Sequence, residues 1–189
     1  MFDLLKLMSQ ELITLSSEEW NAFSAQLSKR HVKKLDYVIK SGHVPNEVYF
    51  VSRGILRVVI EDSKGVESTI HFSMEGQFIT DYASYLRKLP ASYSIQALED
   101  CELFVLPRAS VDWAYIHLKE GQKLGRLMAE LYFTFHDDRI KSLYSLTQLQ
   151  RYEGIELIFP GILSRVPQHM IASYLGISPV HLSRIKRSI

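Results

Sequence analysis

A block of strand-like pattern in the middle of this chain limits the fold more than any other feature. Between residues 31 and 106, short runs rich in Val, Ile, Tyr and Phe alternate with Gly, Pro, Asn and Asp about every eight to twelve residues. The clearest predicted strands are residues 48–51, 54–60, 67–72 and 103–106. Residues 62–65 suit a hairpin turn, because Gly65 can adopt the positive φ that such turns need. Many short strands joined by regular turns predict a β-sandwich or jelly roll.

Helical patterns flank this strand region. Near the N-terminus, Ser16 can cap a helix that carries Trp20 and Phe23 at helical spacing. Residues 108–149 contain no Pro, which predicts a short helix and then a long one from about residue 119. An apolar stripe on the long helix can pack on its own domain or pair with the same helix of a second subunit. Its members are Leu124, Leu127, Met128, Leu131 and Phe135.

Charge is distributed unevenly along the 189 residues, although the formal net charge is +1. Residues 139–189 contain seven Lys and Arg against two Asp and Glu, whereas residues 1–138 carry a net charge of −4. A basic segment of this kind can bind nucleic acid or can be an ordinary solvated surface. Cys101 is the single cysteine, which excludes an internal disulfide and a cysteine-held metal cluster and agrees with a reducing cytoplasm. Without a leader pattern or a run of roughly 18 apolar residues, we expect a soluble, cytoplasmic protein with no membrane partner.

The strongest local signal lies in residues 166–187. Ile171, Ala172 and Leu175 have the spacing of a buried helix face, and the small Ala172 lets a second helix cross closely. Gly176 can supply the left-handed residue that ends this helix, and Ile177 can anchor the turn that follows. This pattern predicts the first half of a helix-turn-helix.

The second helix of this pair has its own start signal. Ser178 can cap it, and Pro179 suits its first turn, where a missing N–H costs little. Leu182 and Ile185 would bury its inner face. Arg184 is the candidate for base contact, because its planar guanidinium can bond to two acceptors of guanine.

The remaining outward residues would meet phosphates or flank the bases of double-stranded DNA. Phosphate contact is expected for Ser183, Lys186 and Arg187. A plain helical hairpin with a basic face is the alternative interpretation. His169 and His181 have no partner at metal-ligand spacing, so no metal site is predicted. The candidate DNA-binding residues are Gln168, Ser178, Val180, His181, Ser183, Arg184, Lys186 and Arg187.

In its order of parts the chain resembles the Crp-Fnr family of transcription regulators. The most specific matches are residues 171–178 and 182–185, and Gly42, residues 49–54 and residues 75–79 agree with the turns and strands of a cyclic-nucleotide-binding-like domain. The resemblance implies an α+β fold with an N-terminal β jelly roll (a double-stranded β-helix) in residues 1–118. A long dimerisation helix in residues 119–145 and a winged-helix-type helix-turn-helix in residues 146–189 would follow. It also implies a homodimer that binds a palindromic operator and recruits or blocks RNA polymerase.

The effector pocket is where the chain departs from this family. Relatives that bind cyclic nucleotides carry a Gly-Glu-Leu run, whose Glu holds the ribose, and an Arg ten residues after that Glu for the phosphate. Here the corresponding residues are Thr80, Asp81 and Tyr82, and then Ala91 and Ser92. A buried phosphate without its cation would lose a charge-assisted pair worth about 2 to 5 kcal/mol. We therefore expect no cyclic AMP in the usual geometry, predict no cofactor, and leave the small-molecule effector unknown or absent.

Two further comparisons limit the function. In place of the Arg-Glu that begins the corresponding helix in relatives with the best-known operator, this chain has Pro179 and Val180, so its operator should differ. Metal-dependent enzymes on a jelly roll need a His-x-His pair, and the chain has none, so we expect no catalysis. A ligand-sensing module whose C-terminal helices bind protein rather than DNA remains the alternative, and salt dependence would distinguish the two.

Overall fold

The computed structural model describes residues 2–188 and opens with two helices, α1 (Asp3–Leu12) and α2 (Ser17–Ser24). The cap at Ser16 is confirmed: its Oγ accepts from the Glu19 N–H at 3.1 Å, and the Glu19 carboxylate accepts from the Ser16 N–H at 2.9 Å. The strand region comprises β1 (Ser28–Val32), β2 (Tyr37–Ile39), β3 (Glu47–Arg53), β4 (Leu56–Glu61), β5 (Glu67–Ser73), β6 (Phe78–Ile79), β7 (Ser94–Ala97) and β8 (Cys101–Pro107). A short helix, α3 (Tyr82–Arg87), separates β6 from β7.

Helices make up the rest of the described chain. They are α4 (Arg108–His117), α5 (Gly121–Ser145), α6 (Gln148–Ile158), α7 (Ile162–Arg165), α8 (Gln168–Leu175) and α9 (Pro179–Ser188). We call residues 148–188, from α6 to α9, the C-terminal unit. Within residues 2–188 no strand follows β8, so the strands of a wing are not seen there. In the same residues no helix is both long enough and apolar enough to cross a membrane.

The described strands form two antiparallel sheets, ordered β1-β8-β3-β6 and β2-β7-β4-β5. Apolar residues from both sheets, among them Val51, Leu56, Ile95 and Leu103, fill the space between them. Phe50 and Phe104 point to the opposite side of the first sheet, where they pack with residues of α1, α2 and α4. This arrangement is the jelly roll that the sequence predicts.

The four predicted strands are confirmed as β3, β4, β5 and β8, and so is the hairpin turn, in which the N–H of Gly65 donates to the Asp62 carbonyl at 3.0 Å. Strand β4 begins two residues later than predicted. The backbone of Gly54 has φ +105°, which is outside the range of a strand, so the strand starts after it. Only glycine fits at this position, because a Cβ there would lie 2.5 Å from Cys101 Sγ. The long helix is also confirmed, and it begins at Gly121 rather than at about residue 119.

A third core joins the C-terminal unit to the strand region. Ile55, Phe72, Met74 and Leu98 are buried together with apolar residues of α6 to α9. The division of the chain at residues 118 and 145 remains a prediction, but the parts on either side of it share a continuous core.

Candidate DNA interface and effector pocket

The turn between α8 and α9 has the geometry that the sequence predicts. Gly176 has φ +71°, its N–H donates to the Ser173 carbonyl at 3.0 Å, and the Ile177 N–H donates to the Ala172 carbonyl at 3.0 Å. These two bonds define a Schellman motif, which ends a helix at a left-handed residue. The first helix therefore stops at Leu175, and the chain changes direction within two residues.

Helix α9 begins where its cap residue predicts. Ser178 Oγ accepts a hydrogen bond from the His181 N–H at 3.2 Å, which satisfies one of the free amides at the start of the helix. Leu182 and Ile185 are buried against Ile171 and Ala172 of α8. Because the apolar side of α9 is used for packing, its other side faces solvent.

The predicted DNA-binding residues lie largely on this solvent side. Val180 is 63% exposed, and Arg184 and Lys186 are exposed and form no ion pair with any residue from 2 to 188. Gln168 is exposed at the start of α8, whereas His181 is half-buried. Arg187 is exposed, and its Nε donates to the Ser183 carbonyl at 3.3 Å. Ser178 and Ser183 are also exposed.

Three of the seven basic residues in the C-terminal quarter are engaged inside the molecule instead. Arg165, on α7, donates to Glu75 at 2.7 and 3.1 Å and also pairs with Glu99. Burial by itself would raise the pKa of Glu75, but hydrogen bonds from Arg165 and the Gly54 N–H lower it overall. The other two are Arg139 and Arg151, which bond to backbone carbonyl oxygens. No local pattern in the sequence separates these residues from the exposed ones.

Helix α8 also docks directly on the edge strand β5. The Thr69 N–H donates to Ser173 Oγ at 2.9 Å, and the rings of Phe72 and Tyr174 lie 5.4 Å apart. An unpaired N–H on a sheet edge is a site for unwanted strand pairing, and here Ser173 satisfies it. The C-terminal unit is therefore held against the strand region by polar as well as apolar contacts.

The predicted effector pocket holds a buried aspartate that is bonded to two serines. The Asp81 carboxylate accepts from the N–H and Oγ of Ser84 at 3.2 and 3.0 Å, and from the N–H and Oγ of Ser92 at 2.8 and 3.0 Å. A carboxylate offers about four acceptor sites. Oδ2 accepts three of these bonds and Oδ1 accepts one, so Asp81, which also caps α3 and is 1% exposed, keeps room for a further bond at Oδ1 only.

Two neighbouring residues of the predicted pocket are also buried. Ala91 is buried in the core between the sheets, and its backbone bonds to Gly42 and His43. Thr80 is also buried, and its Oγ1 donates to the Glu47 carbonyl at 2.9 Å. Among residues 2–188 no Lys or Arg pairs with Asp81. Ala91, ten residues after Asp81, carries no charge, so the arginine that holds the phosphate in relatives has no counterpart at this position.

Aromatic residues occupy the space between α3 and α5. The rings of Tyr82 and Tyr132 lie 5.1 Å apart, and those of Tyr132 and His136 lie 4.2 Å apart. The Tyr93 hydroxyl donates to the Thr80 carbonyl at 3.3 Å, and burial raises the pKa of Tyr93. These rings place α5 directly against the altered pocket.

The predicted stripe on α5 faces two directions. Leu124 packs with the core around α1 and α4, and Phe135 packs with the core of the C-terminal unit, 4.6 Å from the ring of His71. For these two residues, packing within the same chain is confirmed. Leu127 and Met128 are half-buried, and Leu131 is 53% exposed.

The opposite side of α5 carries apolar residues that the sequence analysis missed. Phe133, Ile140 and Tyr144 are 68%, 57% and 89% exposed. Their spacings of seven and four residues place them on one face of a helix. Their helical spacing can be seen in the sequence. It is less regular than the stripe that contains Leu124, because mostly polar residues separate Phe133 from Ile140.

Comparisons with known proteins agree with this architecture. Residues 29–116 match the family model of the cyclic nucleotide-binding domain. None of the curated proteins matches the chain in sequence. Among solved structures, FixK2 from Bradyrhizobium japonicum is 17% identical, with a TM-score of 0.73, over 86% of this chain and 83% of that one.

Two further structures share the fold. The catabolite activator protein of Thermus thermophilus is 22% identical, with a TM-score of 0.55, over 92% of this chain and 83% of that one. A protein described as a transcriptional regulator of the Crp/Fnr family from Eubacterium rectale is 19% identical, with a TM-score of 0.70 and the same coverage. Residues 29–116 thus match a cyclic nucleotide-binding domain, and a helical C-terminal unit follows. Its fold is that of the Crp/Fnr-family transcription regulators, and the resemblance found in the sequence is confirmed.

Proposed function

We propose that this chain is a sequence-specific, DNA-binding transcription regulator of the Crp-Fnr type that acts as a homodimer. The observation that carries the proposal is the two-sided character of α9. Leu182 and Ile185 close the core of the helix-turn-helix, while Arg184 and Lys186 are exposed and unpaired among the described residues. A helix held in this way can enter the major groove and present its basic side to DNA.

The side chains of α9 divide by their chemistry. Arg184, in the middle of the helix, is assigned to base contact, because a guanidinium can bond to O6 and N7 of guanine together. Val180, near the start, can touch a thymine methyl group. Ser183, Lys186 and Arg187 are assigned to phosphates, and Gln168 at the start of α8 adds a polar group near the DNA backbone.

The exposed face of α5 is assigned to the second subunit. Phe133, Ile140 and Tyr144 present an apolar stripe that no described residue covers, on the longest helix of the described chain. A two-fold axis through this face would pair the stripe with itself and set two copies of α9 about one DNA turn apart. A palindromic operator follows from that symmetry. RNA polymerase is a proposed partner on family resemblance alone.

The effector is proposed not to be cyclic AMP in its usual geometry. The carboxylate of Asp81 is buried and already bonded to Ser84 and Ser92, and Ala91 provides no charge for the phosphate. We propose a regulatory role without catalysis, in which the pocket either takes a different ligand or has no ligand.

Selection of preferred sites from random duplex DNA, with and without cyclic AMP, tests the DNA-binding proposal. The expected result is one palindromic motif that emerges equally in both conditions. The control variant is Lys123→Ala. It removes a cation at the N-terminal end of α5, where Lys123 pairs with Glu120, and it should leave the selected motif unchanged. If a folded dimer enriches no sequence in either condition, the proposal is wrong.

Light scattering tests the dimer face. Phe133→Asp should shift the protein towards monomer, because it buries two charges against each other at the two-fold axis. Leu157→Asp is the matched control, since Leu157 is an apolar residue of α6 that is 88% exposed and lies outside the proposed face. If Leu157→Asp dissociates the dimer and Phe133→Asp does not, the dimer interface lies on α6 and not on α5.

A further inference from the structure

The C-terminal ends of α5 and α8 meet at one arginine. Arg151, on α6, donates from Nε to the Leu175 carbonyl at 3.1 Å, and from Nη1 to the Leu146 carbonyl at 2.7 Å and the Leu143 carbonyl at 3.4 Å. Leu143 belongs to the last turn of α5, Leu146 follows that turn, and Leu175 is the last residue of α8. A single planar guanidinium therefore connects the end of the long helix to the end of the first helix of the helix-turn-helix.

A second arginine holds the same junction from the other side. The guanidinium of Arg139, on α5, lies 3.9 Å from the centre of the Tyr174 ring and donates through Nη2 to the Tyr174 carbonyl. Its Nη1 lies 3.5 Å from Ser142 Oγ. Arg139 is half-buried, and this burial lowers the pKa of its guanidinium.

The physical reason for two cations here is the end of α8. The Schellman turn satisfies the carbonyls of Ala172 and Ser173, but those of Tyr174 and Leu175 have no partner within the helix. Helix C-termini carry partial negative charge, and cations stabilise them. Among residues 2–188 neither arginine pairs with a carboxylate, so the carbonyl oxygens are their acceptors. The planar fork of Arg can span carbonyls from two helices, which the ammonium group of Lys does less well.

We propose that Arg139 and Arg151 are positioning residues for DNA recognition. They fasten the turn between α8 and α9 to the end of α5, and so they set the angle and spacing at which α9 is presented, without touching DNA themselves. This inference rests on the proposed function. It assigns to two basic residues of the C-terminal quarter a role different from phosphate contact.

The test measures operator spacing. A series of DNA duplexes carries the selected operator with its two half-sites moved apart, or closer together, by one or two base pairs. Wild-type protein should prefer one spacing by at least tenfold. In Arg151→Met the preference should fall to threefold or less, while the salt dependence of binding and the base preference within each half-site stay unchanged.

Arg151→Lys and Arg139→Lys serve as conservative variants that keep the charge, and each should retain part of the spacing preference. Arg184→Ala is the matched control, because it should alter base preference and leave the spacing preference intact. An Arg151→Met protein that keeps its spacing preference, and instead shows a shallower salt dependence, would overturn the positioning role in favour of phosphate contact.

Hydrogen exchange gives a second measurement that needs no DNA. In folded Arg151→Met, the amides of Gly176 and Ile177 should exchange at least tenfold faster than in wild type, while the amide of Leu103, in the strand core, keeps its protection. Unchanged exchange at the turn contradicts the inference. Should wild-type protein bind no duplex, the DNA-binding proposal fails, and the exchange result still decides whether the two arginines hold the turn.

Discussion

The salt dependence of DNA binding gives a direct count of the phosphate contacts that this structure permits. Residues 139–189 contain seven basic side chains. Arg139, Arg151 and Arg165 bond inside the molecule, and Lys141 pairs with Asp137 on the same helix. The three that remain exposed, all on α9, are Arg184, Lys186 and Arg187.

The expected slope follows from this division. Each phosphate that a cation neutralises contributes about −0.9 to the slope of log K against log salt concentration on duplex DNA. Lys186 and Arg187, which are assigned to phosphates, give the dimer a slope of about −4, and counting Arg184 as well brings it to no more than about −5. Affinity should therefore fall roughly a hundredfold to a thousandfold between 50 and 200 mM salt. If the three internal arginines also bound phosphates, the slope would approach about −11.

Fluorescence anisotropy with the selected operator, at several salt concentrations, measures this slope. Lys186→Ala should make the slope shallower by about two for the dimer, because one phosphate contact disappears in each subunit. Arg165→Gln is the matched control and should leave the slope unchanged. A slope steeper than about −9, or one that Arg165→Gln alters and Lys186→Ala does not, would refute the assignment of charges made here.

Three further results are expected. Arg184→Ala should cost roughly 1 to 3 kcal/mol of operator binding and relax base preference at one position in each half-site, measured by repeating the selection; equal weakening on all sequences would contradict base contact. Gly176→Ala should lower the free energy of unfolding in urea by about 1 kcal/mol, because a side chain at φ +71° is strained even though the nearest atom, on Leu143, lies 3.7 Å away. In mild acid, His71→Gln should lose less of its free energy of unfolding than the wild type does. Burial, with His136 and Arg139 nearby, lowers the pKa of His71 to about 3.

The sign of the His71 effect follows from linkage. As the pH falls, the imidazole of His71 is protonated in the unfolded chain, at a pKa near 6.5, before it is protonated in the folded protein. The contribution of neutral His71 to the free energy of unfolding is therefore complete above pH 6.5 and declines towards about pH 3. Between pH 6.5 and 5, urea titrations should show wild type losing about 2 kcal/mol more than His71→Gln. Equal losses would mean that His71 is protonated inside the fold.

A control for Gly176→Ala is available in α6. Gly154 lies within that helix, and no atom lies within 4 Å of the position of a Cβ there. Gly154→Ala should therefore stabilise the protein by up to about 1 kcal/mol, opposite in sign to the change at Gly176.

Much of the helix-turn-helix could be predicted because its signals are local. A Schellman turn depends on which residue tolerates positive φ, and a helix start depends on which side chain can accept from a nearby amide. Gly176 and Ser178 provide both within three residues. The strand runs are local in the same sense, since alternating apolar residues and turn residues specify a strand and its end. The short helix α3 was missed because its cap, Asp81, was interpreted as a ligand-binding residue.

The sequence by itself thus determined four of the eight described strands, the long helix, the turn of the helix-turn-helix and the absence of an arginine at residue 91. Only the tertiary structure decided which charges are free for DNA and which hold the fold, because Arg165 meets Glu75 and Glu99 from 90 and 66 residues away. It also decided which side of α5 is open to a partner. Burial and pairing depend on what the rest of the chain brings alongside a residue, and a pattern within one segment does not contain that information.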